Sequence, residues 1–486
     1  MSPHAGWATA AVFLLDLIIR VGLSLRVIMR RLPVGVSLAW LAVILILPFA
    51  GALLYLLVGE YRLGRRRTRR AAELAQACQE RFPRFSADAP SDWVGLGAGC
   101  EALARVAESA LGCPPLPGNR LELKENADAA FPALIQDIDQ ASRTCDLEFY
   151  IWSVGGRADE VAQALIRAAR RGVSCRVLVD AIGSAAFLRS GLVGELRKSG
   201  VQVQGALPSG LSRLLFVRAD LRLHRKIAVF DGQVGYTGSL NLADPLYFKK
   251  EAGVGQWVDA LVRVQGPAVQ ALALTFLQDW ALETGQPIDW GRLAKEPRPA
   301  PSPGAAAVQV LPTGPDARVD AIEQVVLSAV YGAARELVLT TPYFVPDESI
   351  LAALKSAVGR GVKVTLVVPA RVDSRLVHFA SRAHQADLLA AGVQIALFGG
   401  GLLHTKSITA DGQYCLFGSL NLDPRSLRLD FEITLAAYDR DFTLAVRQLQ
   451  QSYLDGSTPL DLATCRARSS LERFAEDAAR LVSPLL

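Results

Sequence analysis

Two histidines of this 486-residue chain stand in matching surroundings. His224-Arg-Lys226 opens a stretch that closes on Gly238-Ser239-Leu240-Asn241. His404-Thr-Lys406 opens one that closes on Gly418-Ser419-Leu420-Asn421, offset by 180 positions. Side chains alternate along a strand, so the His and Lys of each copy share a face. Asp231-Gly232 and Asp411-Gly412 are tight-turn signals, after which the chain returns as a second strand. In Gly-Ser-x-Asn the glycine permits close approach of a ligand, and the polar side chains offer hydrogen bonds. Each copy thus gathers an imidazole, an ammonium and an amide. That set suits a phosphodiester. Lys226 and Lys406 neutralise charge, while Ser239, Asn241, Ser419 and Asn421 hold the non-bridging oxygens. His224 and His404 attack or move a proton. One such hairpin with a surface histidine would be unremarkable. The chain holds only five His, and two recur with the whole constellation in register, which points to a shared phosphate site.

The elements that must carry these residues alternate. Residues 147–152 read as a buried strand, Ala158–Arg171 as a helix stopped by Gly172, and 176–179 as the next strand. The second half repeats the order at 337–341, 350–359 and 364–368, and Gly200–Val203 answers Gly392–Ile395. Strand, helix, strand in alternation predicts an α/β fold with parallel or mixed sheets. Before it, residues 7–25 are apolar except for Asp16 and Arg20, which can pair at i,i+4, and residues 32–59 carry no charge. The second stretch is long enough for a transmembrane helix, and the first either spans too or lies in the interface. Arg26, Arg30 and Arg31 separate the two, and Arg62, Arg65, Arg66, Arg67, Arg69 and Arg70 follow. The heavier cluster assigns both termini and the body to the cytoplasmic side, where it also meets anionic headgroups. The expected division is a membrane region (1–60) with a transmembrane helical hairpin, a basic helical connector (61–118), one α/β domain (119–294), a Pro-rich linker (295–307) and a second α/β domain (308–486). Formal net charge is only +5 and no other basic groove is legible, so a nucleic-acid partner is not expected. Seven scattered Cys without a Cys-x-x-Cys pair give no disulfide framework or zinc site and fit a reducing compartment.

The two stretches match the HxK(x)4D(x)6GSxN signature of the phospholipase D superfamily. The segments 223–226, 253–257, 400–406 and 421–427, the N-terminal apolar pair and the C-terminal Ser-Pro-Leu-Leu resemble the bacterial cardiolipin synthases over nearly the whole chain. The resemblance implies two phospholipase D-like repeats, each a mixed sheet flanked by helices. They would meet about a pseudo-twofold axis at one active site. It further implies phosphatidyl transfer between two phosphatidylglycerols through a phosphohistidine, with no metal or cofactor, at the bacterial cytoplasmic (inner) membrane. The analogy leans to His224 as nucleophile and His404 as acid. In the family a carboxylate on a later strand orients each ring. Asp259 and Glu432 are the candidates here, Glu432 the better one because the segment before Asp259 is longer than its counterpart. Asp231 and Asp411 belong to the motif but fall at turns and read as structural. Tyr150, Trp152, Tyr343 and Phe344 either line an acyl-chain mouth or fill the core, and Arg425 meets a second phosphate or pairs with Asp430. The expected partners are phosphatidylglycerol, other anionic phospholipids and the membrane. The oligomeric state stays open, a homodimer included. The alternative function is hydrolysis of phospholipids to phosphatidic acid. A lipid-binding scaffold without catalysis would need neither histidine.

Overall fold

The computed structural model describes residues 3–30, 34–60, 63–81, 96–208, 218, 220–288, 290, 303–316, 318 and 320–482. Arg31, Arg62, residues 295–302 of the expected linker and the C-terminal Ser-Pro-Leu-Leu lie outside the described residues.

The first half of the body contains β1 (Leu116–Lys124), β2 (Thr144–Phe149), β3 (Ser174–Asp180), β4 (Gln202–Ala206), β5 (Lys226–Phe230), β6 (Val234–Gly238), β7 (Trp257–Val258) and β8 (Leu261–Gln265). The second contains β9 (Ala306–Thr313), β10 (Glu336–Thr340), β11 (Lys363–Pro369), β12 (Gln394–Phe398), β13 (Leu402–Leu403), β14 (Lys406–Ala410), β15 (Tyr414–Gly418), β16 (Glu432–Tyr438) and β17 (Ser457–Leu460). β2, β3 and β4 run parallel because helices return the chain between them. The helix Arg157–Arg170 does this after β2 and buries Ala158, Val161, Ala162, Leu165 and Ile166 on one face at helical spacing. β5 and β6 are a hairpin turned by Asp231-Gly232, and β14 and β15 one turned by Asp411-Gly412. The sheets are therefore mixed.

The halves do not keep separate sheets, as the repeat pattern implies. β1 pairs antiparallel with β9 (Leu116↔Val308, Asn119↔Ala306) and fuses them into one 15-stranded sheet. Outward from this seam the order is β1-β8-β6-β5-β2-β3-β4 on one side and β9-β16-β15-β14-β10-β11-β12-β17 on the other. The seven strands of the first run correspond one for one to the first seven of the second, which is the pseudo-twofold arrangement, and β17 at the far edge has no counterpart among the described residues. Both domain edges move accordingly. β1 begins inside the expected connector, and Ala306 and Ala307 of the expected linker already belong to β9. The connector's helix Ala98–Leu111 packs Cys100, Leu103, Ala104 and Ala107 into the core of the second half, against Ile322, Val325, Ala329 and Val330. Gln309 Nε2 fixes it there by donating to the carbonyls of Ala104 (3.0 Å) and Cys113 (2.6 Å).

The N-terminal region departs further. Residues 3–29 form one helix, with Arg20 paired to Asp16 at 2.6 Å. The uncharged stretch forms two helices, Val34–Ile46 and Ala50–Val58, instead of one. Pro48 has no N–H for the i−4 carbonyl, and Phe49 takes a positive φ of 51°. Asp16 Oδ1 accepts the Phe49 N–H at 3.2 Å, and Arg20 Nη1 donates to the Leu45 carbonyl at 2.6 Å, so the charged pair of the first helix holds the break. Among the described residues no helix is long and apolar enough to cross a membrane. The basic helix Arg65–Arg81 is not wholly turned to headgroups either. Arg67 bonds Glu283 of the helix Ala268–Thr284, and Arg70 Nη2 donates to the Gln286 carbonyl at 3.3 Å.

Asn119 secures the seam. Fully buried, it donates to the carbonyls of Leu116 (2.6 Å) and Ala306 (3.2 Å) and accepts the Ala268 N–H (2.8 Å). Asn119→Ala leaves these groups unpaired in a dry interior, and we expect a loss of about 2–4 kcal/mol in chemical denaturation. Wild-type stability of this variant would show that the seam does not depend on it.

Candidate active site

Each histidine leaves its own half and is held by the other. Leu223 bridges Phe431 in parallel, and the His224 N–H donates to the Phe431 carbonyl at 2.9 Å. In the mirror position Leu403 pairs with Val258, and the His404 N–H donates to the Val258 carbonyl at 2.8 Å. The next residue along each supporting strand is a carboxylate. His224 Nδ1 lies 2.8 and 2.9 Å from the two oxygens of Glu432, and His404 Nδ1 lies 2.7 Å from Asp259 Oδ1. An ionised carboxylate only accepts, so each Nδ1 carries the proton and each Nε2 presents a lone pair. Lys226 Nζ and Lys406 Nζ each donate to the carbonyl of the histidine two residues back, at 2.6 Å, which leaves two N–H donors on each ammonium.

Burial dominates the electrostatics. It pushes His224 well below the usual histidine range, and Lys226, Lys406 and His404 of the same site push it further. His404 falls to about 4, burial again leading, with Asp259 opposing the fall. Both rings are therefore neutral at rest. Burial lifts Glu432 to about 7 against the pull of Lys226. At Asp259 burial is outweighed by His404 and Lys406, and the carboxyl stays below its ordinary range. Burial lowers Lys226 to about 8 and takes Lys406 well below its ordinary value. A bound phosphodiester supplies the missing countercharge and reverses these lysine shifts.

The remaining motif residues brace this cluster. Asp231 accepts the N–H groups of Ser142 (2.8 Å), Arg143 (2.8 Å) and Thr144 (2.7 Å), and Asp411 accepts those of Ala334 (2.8 Å), Arg335 (2.7 Å) and Glu336 (2.8 Å). Both carboxylates tie their hairpin turn to the start of the neighbouring strand. The glycines and serines differ from expectation. A Cβ on Gly418 would collide with the Ile433 carbonyl, and one on Gly238 with that of Ala260, so these glycines admit the carboxylate strand and not a ligand. Ser239 Oγ accepts the Ala260 N–H at 3.1 Å. Ser419 Oγ accepts that of Ile433 at 2.9 Å and donates to Glu432 Oε2. The serines thus bond the strands that carry the carboxylates. Asn241 Oδ1 accepts the Ile151 N–H at 3.1 Å, and its buried Nδ2 has no partner among the described residues, a donor open to a ligand. Asn421 Nδ2 donates to Ser426 Oγ at 3.2 Å.

Of the four aromatics open to a mouth or a core role, Trp152 and Phe344 are core residues, Trp152 stacked on Phe187. Tyr150 stands edge-on to His224 with ring centroids 4.8 Å apart, and Tyr343 donates to Asp373 Oδ1 at 2.8 Å. Arg425 pairs with Asp430 (3.0 Å) and Asp220 (3.3 Å), the pairing named among its two readings. Two neighbours of the site went unassigned from sequence. Trp257 lies against His404 at 4.4 Å, and Arg225 donates to the carbonyls of Glu432 (3.1 Å) and Thr313 (3.0 Å) behind the sheet. Trp257 precedes Asp259 by two, so strand alternation could have found it.

The chain is similar to known proteins over most of its length. A family model described as Cardiolipin synthase, PLD-like domain matches residues 134–280 and 326–453, and one described as Phospholipase D-nuclease N-terminal matches residues 17–60. The chain is 41% identical over 480 residues to Cardiolipin synthase A of Cronobacter sakazakii, covering 96% of both chains. It is 40% identical over 475 residues to Cardiolipin synthase A of Erwinia tasmaniensis, again covering 96% of both. The crystal structure of phosphatidylserine synthase from Haemophilus influenzae shares the fold, with a TM-score of 0.58 at 16% identity over 79% of this chain and 100% of that one.

Two of the shifted groups set an expected pH profile. Glu432 is raised, so its carboxylate is lost as pH falls through about 7. Once protonated it donates to Nδ1 and moves the ring proton to Nε2, which leaves His224 without a free Nε2 lone pair. Lys226 is lowered, so its ammonium is lost above about 8. We expect a narrow bell for kcat/KM with limbs near these values. Lys226→Arg should carry the alkaline limb upward and leave the acid limb in place. An alkaline limb that does not move would remove Lys226 from the phosphate-charging role.

Proposed function

Because this chain belongs to the cardiolipin synthases of the phospholipase D superfamily, we propose that it condenses two phosphatidylglycerols into cardiolipin and glycerol. The crossed His–carboxylate pairs carry this reading, since they supply one nucleophile and one proton carrier to a single phosphodiester. His224 Nε2 attacks phosphorus, a P–N bond forms, and the P–O bond to the terminal glycerol breaks. His404, the more basic ring because Asp259 faces it as a full carboxylate, takes up a proton when the anionic phosphodiester binds and gives it to the departing glycerol oxygen. The headgroup hydroxyl of a second phosphatidylglycerol then loses its proton to His404 and attacks phosphorus. The P–N bond breaks, and both histidines return to their starting states. Lys226, Lys406 and Asn241 hold the non-bridging oxygens, whose charge grows in each transition state. Ser239 and Ser419 act through the carboxylates they bond.

The N-terminal region supports a membrane location. Phe13, Leu17, Ile18, Leu38, Ile46 and Leu53 are large apolar side chains left exposed on its helices, a surface suited to lipid. We place this region in the bacterial cytoplasmic membrane, as two segments linked by a short outer turn, with the body on the cytoplasmic side. Water reaches a phosphohistidine at a membrane surface less easily than in bulk, which favours transfer over hydrolysis.

Labelled phosphatidylglycerol in bilayers should give cardiolipin and an equal amount of glycerol. Phosphatidic acid as the main product would leave only the hydrolase. Acid quenching should trap a phosphoenzyme in wild type and none in His224→Ala. His404→Ala should still form it from a substrate whose leaving group needs no proton, such as a nitrophenyl ester. Equal trapping in both variants would reverse or void the roles.

A further inference from the structure

The two repeats are unequal at one place. Asp259 follows Ser239 by 20 residues, whereas Glu432 follows Ser419 by 13. The second repeat delivers its carboxylate with the shorter segment, so the extra residues of the first are not needed for that task. They form a loop that leaves the body after Asp244 and returns at Trp257. Asp244, 4% exposed, builds it: its Oδ2 accepts the Arg157 N–H (3.0 Å), its Oδ1 that of Leu246 (2.9 Å), and its carbonyl those of Tyr247 (3.0 Å) and Phe248 (2.9 Å). The fixed loop puts Leu246 and Tyr247 outward, 49% and 61% exposed. Tyr247 packs over Gly155 and Gly156, next to Val154, itself 46% exposed. From this apolar tip a line of rings runs inward. Phe248 meets Trp257 at 5.0 Å, and Trp257 meets His404 at 4.4 Å.

Cations stand around the tip. Lys250 lies over the Tyr247 ring at 5.1 Å, and Lys249 pairs with Asp373 at 3.0 Å. Arg371 and Arg375, both exposed, flank Asp373 in the chain, and the acidic residues on these segments are Glu251 and Asp373. We propose that the loop Pro245–Lys250 is an interfacial docking element that seats the mouth of the site on a bilayer containing anionic phospholipid. The inference rests on the reading of the substrate as a membrane phospholipid. Three apolar side chains are far fewer than the roughly 20–30 residues a side that a stable protein interface needs. They suffice for an interface with lipid, where a tyrosine sits at headgroup depth and neighbouring cations meet anionic headgroups. The rigid link through Phe248 and Trp257 makes depth of insertion and orientation at His404 one variable.

The test uses the full chain in vesicles, with and without about one-third phosphatidylglycerol in phosphatidylcholine. A fluorophore is attached at Tyr247→Cys, or at Lys198→Cys as control, with the unsubstituted protein as blank for native thiols. Spin-labelled lipid should quench the fluorophore at position 247, more strongly in the anionic vesicles, and spare the one at position 198. Equal quenching at both positions, or none at position 247, would overturn the proposal. So would cross-linking at position 247 between two copies in place of quenching. The paired change Leu246→Ser with Tyr247→Ser should cut cardiolipin synthesis in bilayers at least about fivefold by lowering the effective concentration of headgroups at the mouth. On phosphatidylglycerol dispersed in detergent micelles, where no planar surface must be met, its rate should equal wild type. A fall in both assays, or in neither, would overturn the docking role. Failure of the wild type to make cardiolipin in either assay would instead fault the proposed function, and the quenching result would stand apart from it.

Discussion

The structure turns on two buried hydrogen bonds that cross between its halves, His224 to Glu432 and His404 to Asp259. Neither half owns a complete site. The first contributes one histidine and the carboxylate for the other, and the second does the same in return. Taking imidazoles, carboxylates and two ammonium groups out of water is costly, and removal of any one partner leaves a charge unsatisfied. The halves must therefore dock in one register. The seam of β1 and β9 sets that register, and the short ladders at Leu223/Phe431 and Leu403/Val258 carry it to the rings. The seam and the site therefore share one register.

Within this near-symmetric frame the proposed chemistry is asymmetric. A phosphoryl exchange needs one ring to stay neutral and attack while the other carries a proton. Both rings sit in similar desolvated surroundings, so burial alone cannot divide the work. The carboxylates do. Asp259 keeps its charge because His404 and Lys406 face it, while Glu432 is lifted to about 7. The difference makes His404 the easier ring to protonate. The same side of the site carries the inserted loop and Trp257, so electrostatic and structural asymmetry fall together.

The basic segment after the N-terminal helices has a second contact with this centre. Arg67 bonds Glu283 and lies over the Phe431 ring at 5.3 Å, with Arg225 over the same ring at 5.5 Å. Phe431 supplies the carbonyl that holds His224 and precedes Glu432 in the chain. The arginines that a membrane surface would attract are thus in part committed to the wall of the site, and the N-terminal region is joined to the chemistry by packing.

The residues proposed to do the chemistry were legible from the chain alone, because their order is local. A histidine and a lysine two apart share a strand face, and Asp-Gly turns the hairpin whatever surrounds it. Alternating strands and helices follow from apolar spacing in the same way. The folded structure decided whatever depends on register between distant segments. The histidine–carboxylate pairs span 208 and 145 positions, and no local pattern distinguishes Asp259 from surface charge. Fusion of two sheets into one, the packing of Ala98–Leu111 with the second half and the burial of Trp152 and Phe344 as core are likewise outcomes of docking. The motif's glycines and serines are legible too, but not what they touch. A small residue at a close approach looks the same in sequence whether a phosphate or a neighbouring strand comes near. Only the position of the Ile433 and Ala260 carbonyls tells the two apart.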